Sequence, residues 1–186
     1  MSFLVTASDA SVVLDTMPAL KLTSWNGSPA RDTVYSYGKL CLQKGSLALG
    51  GWVFDGRPPE SQRFCAAFNF APALCGDFLS YTVSPGGVAV CMLHQPGGRV
   101  LSCAAPQPQM SNGNDEQGYY WAFEALLPKE LIAAYFGQSP AAGSAFSGNL
   151  FLYDAEEDAF GSAFPVPAGR RAPTAEGFGD FVAVPY

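Results

Sequence analysis

The stretch from residue 78 to residue 103 decides the fold class, because it consists of three short β-type segments separated by two turns. The segments are Phe78-Leu79-Ser80-Tyr81-Thr82-Val83, Val88-Ala89-Val90-Cys91-Met92-Leu93 and Arg99-Val100-Leu101-Ser102-Cys103. Between them stand Ser84-Pro85-Gly86-Gly87 and Gln95-Pro96-Gly97-Gly98. Proline sets φ for the first turn position, and glycine tolerates the positive φ of the next. This pattern predicts a three-stranded antiparallel meander.

Other parts of the chain also have strand length and a strand pattern. Lys44-Gly45 separates two such segments and predicts a hairpin turn. Along residues 62–70, Phe64, Ala66 and Phe68 alternate with Arg63, Cys65 and Ala67, as expected for a β-strand. The predicted strands outside the meander cover residues 34–43, 46–55, 62–70, 119–127, 149–154 and 178–184.

One helix is predicted after Pro128, since proline suits the start of a helix and Gly137 can end it. About ten strands and one short helix favour an all-β, antiparallel β-sandwich over a parallel sheet, which would need a helix between successive strands. We expect loops over residues 104–118 and 138–147. Both are too short to join independent domains, so residues 1–186 are predicted to form a single domain.

The composition limits the possible partners. Glycine (20) and proline (15) are abundant among the 186 residues, and charged residues make up only 14%. The net charge of −6 and the lack of a basic stripe argue against a nucleic-acid partner. No stretch reaches the ~20 apolar residues of a membrane-spanning helix. The amino-terminal residues lack the basic and apolar regions of a signal peptide, so we expect a cytoplasmic protein without a membrane partner.

The cysteines and acidic clusters do not predict a metal site or another cofactor. The five cysteines (41, 65, 75, 91 and 103) are odd in number and include no C-x-x-C pair. This spacing argues against a zinc cluster or a disulfide framework, and we predict free, mostly buried thiols. Two polar patches, residues 112–116 and 154–158, are rich in possible calcium ligands. Both lack the spacing of an EF-hand loop and are interpreted as turns.

Motifs for catalysis are equally scarce. His94 is the single histidine, and the chain contains no G-x-S-x-G nucleophile motif and no G-x-x-x-x-G-K-[ST] phosphate loop. We interpret His94 as a strand-end residue. A glycoside hydrolase would need two acids on facing strands. Glu124 lies within a predicted strand and Asp55, Glu60 and Asp77 lie at strand ends, so a small hydrolase stays open as an alternative.

Four places, in order along residues 20–184, carry a resemblance to a known family. They are Trp25-Asn26 followed by the strand 38–42, the segment 46–55 that ends in Asp55, the strand 120–128 with Glu124 four residues before Pro128, and the segment 176–182. Together they resemble the family 9 carbohydrate-binding modules and their small stand-alone relatives. The resemblance implies a jelly-roll-like sandwich that binds sugar ends between two tryptophans and performs no catalysis.

The chain departs from that family at the two sugar-stacking positions. Pro58-Pro59-Glu60 and Arg170-Arg171-Ala172-Pro173 stand where the resemblance places the tryptophans. We therefore expect a non-catalytic binding domain of carbohydrate-binding type with an altered or lost sugar site. The alternative is a structural or protein-interaction domain on the same sandwich scaffold.

The candidate ligand-binding residues follow from these replacements and from the remaining tryptophans. Guanidinium and carboxylate groups bind polar or anionic groups but offer little stacking surface, so we expect a carbohydrate or an acidic small molecule, with acidic sugars preferred. Trp25 opens a loop and Trp52 follows two glycines, and either ring could stack on a sugar. The candidates are Arg57, Glu60, Arg170, Arg171, Trp25 and Trp52.

Overall fold

The computed structural model describes residues 2–26, 35–156 and 159–186, and β-strands dominate them. Within this part of the chain the one α-helix is α1 (Lys129–Phe136), and no helix is long and apolar enough to cross a membrane. The strands are β1 (Phe3–Ser8), β2 (Ala19–Lys21), β3 (Ser24–Asn26), β4 (Tyr35–Gln43), β5 (Ser46–Phe54), β6 (Gln62–Asn69), β7 (Phe78–Val83), β8 (Ala89–His94), β9 (Val100–Cys103), β10 (Gln109–Asp115), β11 (Gly118–Leu127), β12 (Ala145–Asp154), β13 (Phe160–Ser162) and β14 (Gly179–Pro185).

Eleven of these strands follow one hydrogen-bonded path that folds into two layers, while β2 pairs with β4, β13 pairs with β12 and β3 pairs with β13 beside it. Its order is β10-β11-β5-β4-β1-β14-β12-β6-β7-β8-β9. Ring contacts join the layers, since Phe64 of β6 and Phe123 of β11 lie edge to face with centroids 5.4 Å apart. The all-β sandwich with one short helix predicted from the sequence is confirmed. Strand β1, which links the layers, is parallel to both neighbours, β14 and β4, whereas the pairs on either side of it are antiparallel.

The turns predicted from glycine and proline form where expected. Strands β7, β8 and β9 pair as an antiparallel meander. Gly87, Gly97 and Gly98 have φ values of 81°, 83° and 84°, a region that side chains disfavour. Lys44 and Gly45 connect β4 to β5 with φ of 51° and 81°, as a two-residue hairpin turn with two positive φ angles requires.

The predicted loop over residues 104–118 is wrong, because it contains β10. This strand has the polar sequence Gln-Met-Ser-Asn-Gly-Asn-Asp and pairs along its whole length with β11. An edge strand needs only backbone partners and can expose its side chains, so it shows no apolar alternation. The loop predicted over 138–147 likewise ends early, since β12 begins at Ala145. Val34, Glu157 and Asp158, which the sequence places in a strand and a turn, lie outside the described residues.

Two glycines, which carry no side chains, leave space for large side chains in the centre of the sandwich. Gly38 of β4 and Gly51 of β5 are directly opposite each other on the inner face of one layer. A methyl group added at Gly51 would lie 2.6 Å from Cε1 of Phe123 and 3.1 Å from Cδ1 of Phe64. The fully buried rings of Phe64 and Phe123 therefore occupy the volume that Gly51 leaves empty, and Leu150 with the edge of the Phe64 ring fills the volume at Gly38.

Replacing Gly51 by alanine should destabilise the protein by about 1–3 kcal/mol, because the new methyl group overpacks this region. Gly86→Ala is the matched control, since a methyl group there would find no atom closer than 3.9 Å and this glycine has no positive φ. We expect the control to change the free energy of unfolding by less than about 0.5 kcal/mol in urea titrations. Equal stability of the two variants would contradict this packing.

All five cysteines are free thiols, as the sequence predicts; Cys41, Cys65 and Cys91 are buried, and Cys75 and Cys103 are half-buried. One pair is placed to react. Cys91 and Cys103 are directly opposite each other in the β8–β9 ladder. Opposed residues in antiparallel strands have Cα atoms about 4.5–5.5 Å apart, within the range that a disulfide spans. Burial and a hydrogen bond to Cys103 raise the pKa of Cys91 to about 12.

Oxidised glutathione should therefore close one intramolecular disulfide, between Cys91 and Cys103. The more accessible Cys103 thiolate attacks the glutathione disulfide and releases one glutathione thiolate, after which Cys91 displaces the second. Peptide mapping of the unreduced protein should find this bond in the wild type and no intramolecular bond in Cys103→Ser. A bridge involving Cys41 or Cys65 would contradict the register of β8 and β9.

Candidate functional site

Two clefts lie near the end of the sandwich where β5 passes into β6. The first, here called the arginine cleft, has a volume of about 490 Å³. The β5–β6 connection adjoins it, because the backbone N–H of Ala155 donates to the carbonyl of Ser61 at 3.0 Å. Its described lining residues are Tyr153, Asp154, Ala155, Glu156, Ala159, Phe160, Arg171 and Ala172.

Of the four charged residues predicted to bind ligand, Arg171 lines the arginine cleft and three lie elsewhere. Arg170 is exposed, and its Nε donates to Oε2 of the exposed Glu176 at 2.7 Å. Arg57 and Glu60 are exposed on the β5–β6 connection. The guanidinium of Arg63 donates to the backbone carbonyl of Glu60, which keeps this connection close to Tyr153, the residue opposite Arg63 on β12. Arg57 and Glu60 thus lie on the connection that adjoins the arginine cleft, and Arg171 is the one of the four found among its described lining residues.

The arginine cleft has mixed charge and little open aromatic surface. Buried Asp154 and exposed Glu156 line it together with Arg171. The ring of Phe160 is only 2% exposed. Tyr153 is half-buried, and burial raises the pKa of its hydroxyl, which therefore stays protonated as a donor. Such a cleft can exchange hydrogen bonds with polar groups, and the two rings among its described lining residues, Tyr153 and Phe160, are half-buried and buried.

The two candidate tryptophans pack against the protein itself. Trp25 of β3 is half-buried, and its ring lies over Gly161, where a methyl group would meet it at 3.1 Å. Trp52 is only 8% exposed and stacks on Tyr37 with centroids 5.3 Å apart and an interplanar angle of 13°. The Nζ atom of Lys39 lies 5.3 Å from the centre of the Trp52 ring. The assignment of Trp25 and Trp52 to a ligand site stays a prediction. Trp52 exposes little surface that a ligand could contact.

A second cleft, here called the tyrosine cleft, combines the connection that carries Arg57 and Glu60 with residues of β10 and β11 that the sequence analysis did not select for sugar binding. Its volume is about 500 Å³. It lies between the β10–β11 ribbon, the start of the β5–β6 connection and the turn between β7 and β8. Its lining residues are Asp55, Gly56, Pro58, Pro85, Asn112, Gly113, Asn114, Tyr119, Tyr120 and Trp121.

The β10–β11 register explains why polar and aromatic groups share this cleft. Asn112 is opposite Trp121, and Asn114 is opposite Tyr119. Directly opposed residues of an antiparallel pair project from the same face, so the two amides and the two aromatic side chains lie on one side of the ribbon. The alternation of Asn112 and Asn114 was visible in the sequence, but its meaning depends on a strand that the sequence does not predict.

A buried hydrogen-bond chain holds the carboxylate of this cleft. The indole N–H of Trp121 donates to Oε1 of Gln62 at 2.8 Å, and Nε2 of Gln62 donates to Oδ2 of Asp55 at 3.0 Å. The backbone N–H of Arg57 donates to Oδ1 of Asp55, also at 3.0 Å. Gln62 is completely buried. The Asp55 carboxylate is therefore fixed from below and keeps further lone pairs for hydrogen bonds.

Comparison with solved structures identifies the fold, although no family model and no curated protein sequence matches the chain. A protein of Bacteroides uniformis ATCC 8492, described as a candidate carbohydrate-binding protein, is similar with a TM-score of 0.70 and 12% identity over 98% of both chains. A family 9 carbohydrate-binding module of Caldicellulosiruptor kristjanssonii, solved with cellotriose, is similar with a TM-score of 0.58 and 11% identity, covering 100% of this chain and 95% of its own.

The same type of module from that organism, solved with glucose, has a TM-score of 0.53 and 10% identity, covering 98% of this chain and 96% of its own. The chain has the fold of the family 9 carbohydrate-binding modules. The resemblance inferred from the sequence is thus confirmed at the level of fold. At identities of 10–12%, the family 9 fold says nothing by itself about which side chains contact a ligand.

One serine–histidine pair occurs on the family 9 fold of this chain, and it is inaccessible. The Oγ of Ser80 lies 2.8 Å from Nε2 of His94, and the ring of Phe78 stacks on His94 with centroids 4.3 Å apart. Ser80 is only 3% exposed, so its oxygen has no open path to a substrate. Among the described residues no three His, Cys, Asp or Glu side chains gather as a metal-binding group.

His94 should make stability depend on pH. Burial lowers the pKa of His94 below its ordinary value of 6.5, so the unfolded chain binds this proton at a higher pH than the folded protein does. The free energy of unfolding therefore falls as the pH is lowered through 6.5 and levels off below the pKa of the folded state. Urea titrations at about pH 7.5 and about pH 5 measure the free energy of unfolding at each pH. Between these two pH values it should fall less in His94→Gln than in the wild type. An equal loss in both proteins would refute this role.

Proposed function

We propose that the protein is a non-catalytic carbohydrate-binding domain whose sugar site differs from an arrangement of two stacking tryptophans. The observation that supports this function most is the likeness in fold, over nearly the whole of both chains, to modules solved with cellotriose and with glucose. The inaccessible Ser80–His94 pair is consistent with binding without catalysis.

The proposed sugar site differs from one with two stacking rings because the three tryptophans pack against the protein itself. Trp52 and Trp121 are 8% and 5% exposed, and Trp25 lies over Gly161 in β13. The arginine cleft offers the Arg171 guanidinium beside Asp154 and Glu156. Because a guanidinium donates and carboxylates accept, this set can bond the hydroxyl groups of a sugar, and Arg171 can also bond a sugar carboxylate in a bidentate manner.

Arg171 is the lining residue of the arginine cleft that can attract an acidic sugar, while Asp154 and Glu156 oppose that attraction. Removing the guanidinium therefore leaves a cleft that repels anions but can still accept hydrogen bonds from neutral hydroxyl groups. A hydrogen bond to a charged group contributes about 1.5–3 kcal/mol, which corresponds to roughly a tenfold to hundredfold change in affinity.

Titration calorimetry with glucose, cellotriose and glucuronate tests the proposal. We expect the wild type to bind at least one of these sugars and Arg171→Ala to weaken glucuronate binding by about tenfold or more relative to the neutral sugars. Arg99→Ala is the matched control, since Arg99 is an exposed arginine on the β8–β9 turn. Incubation with cellotriose should release no glucose.

Failure to bind any of the three sugars would contradict the proposed function. That outcome would favour the alternative, a structural or protein-interaction domain on the same scaffold. Release of glucose from cellotriose would instead favour a hydrolase.

A further inference from the structure

The tyrosine cleft contains a large aromatic side chain that is left open to solvent. Tyr119 is 67% exposed, although it stands at the start of a strand whose next inward-facing residues, Trp121 and Phe123, are buried. Gly56 leaves room beside it, since a methyl group added there would make only ordinary contacts, 3.7 Å from Cβ and 3.8 Å from Cδ2 of Tyr119. The ring is thus a flat apolar surface that is largely open to solvent.

Polar groups surround this ring on the same side of the ribbon. Asn112 and Asn114 are exposed and provide both donors and acceptors. The Asp55 carboxylate is held by the buried Gln62 amide and by the backbone N–H of Arg57. Because these bonds already orient the carboxylate, a ligand hydroxyl can bond to it without ordering the side chain first.

The remaining walls are apolar and rigid. Pro58 and Pro85 line the cleft from the β5–β6 connection and from the β7–β8 turn. The volume of about 500 Å³ lies within the ~300–1,000 Å³ typical of small-molecule sites. An open aromatic face with a few fixed polar groups is the combination that a pyranose ring requires, since such a ring has an apolar C–H face and a rim of hydroxyl groups.

We propose that the tyrosine cleft binds one ring of a neutral saccharide, with its C–H face on Tyr119 and its hydroxyl groups on Asp55, Asn112 and Asn114. This assignment rests on the proposed carbohydrate-binding function and locates it away from the arginine cleft. The ligand is neutral because the described lining residues of the cleft include an acidic side chain, Asp55, and no lysine or arginine. A uronic acid would place its carboxylate against that of Asp55.

The test is cellotriose binding by four variants and the wild type. Tyr119→Ala should weaken binding by about tenfold, whereas Tyr119→Phe, which keeps the ring face, should stay within about threefold of the wild type. Tyr186→Ala removes an even more exposed tyrosine, 85% exposed at the end of the chain, and should have no effect. Arg171→Ala alters the arginine cleft and reports whether cellotriose binds there instead. Since Tyr119 is exposed, we expect Tyr119→Ala to melt at the wild-type temperature.

The outcomes separate this assignment from the proposed function. Cellotriose binding that survives Tyr119→Ala but is lost in Arg171→Ala would overturn the tyrosine cleft and keep the carbohydrate-binding function. Loss of binding in Tyr119→Phe as large as in Tyr119→Ala would overturn stacking on the ring. Binding of glucuronate that depends on Tyr119 would overturn the neutral ligand. Absence of binding to every sugar by the wild type would overturn both proposals together.

As a second readout, cellotriose should shift the backbone amide resonances of Gly56, Asn114 and Tyr119 in the wild type. Shifts confined to residues 153–156 and Arg171 would place the sugar in the arginine cleft and contradict the assignment. Asn114→Ala, which removes one exposed amide, should weaken cellotriose binding several-fold without changing the melting temperature. Unchanged affinity of this variant would show that the Asn114 amide does not contact the sugar.

Discussion

The sandwich depends on the close approach of aromatic rings to backbone that carries no side chains. Gly38 and Gly51 are paired across β4 and β5, and the space above them accepts Leu150 and the rings of Phe64 and Phe123. These rings come from opposite layers, so the way in which they pack determines how closely the two layers approach each other. On the other face of the same layer, Gly50 performs the equivalent role for Trp52, whose ring a methyl group would meet at 2.7 Å. Glycine is therefore required at these strand positions by packing rather than by backbone conformation.

The same two-layer packing connects the core to the tyrosine cleft. Trp121 belongs to β11 in one layer and Gln62 to β6 in the other, and their hydrogen bond of 2.8 Å bridges the layers in the buried interior. Gln62 then bonds Asp55, which lies at the surface. A buried amide without partners would cost free energy, so folding itself demands this chain of hydrogen bonds. The carboxylate of the cleft is positioned by an interaction that stabilises the fold.

Two neighbouring clefts on this scaffold have different chemistry. The arginine cleft combines Arg171 with carboxylates and with rings that are buried or half-buried, whereas the tyrosine cleft combines an open ring with amides and one carboxylate. A fold can persist at 10–12% identity because its core requires only apolar, aromatic and glycine positions in the right pattern. Side chains at the ends of strands are not bound by that requirement. Function must therefore be argued from the clefts, and the fold only limits where they occur.

The sequence by itself determined the local structure and, through a family resemblance, the fold. Turn glycines, strand alternation and the helix ending at Gly137 are set by φ preferences and side-chain periodicity, which act over a few residues. Tertiary structure alone decided which strands pair, and with that the location of every candidate site residue. It made a strand of the polar segment opposite β11, buried Trp52, and placed Arg171 at the arginine cleft. It also placed Tyr119 beside Asp55. These outcomes depend on register between strands distant in sequence, and periodicity indicates a residue's face without indicating its partner.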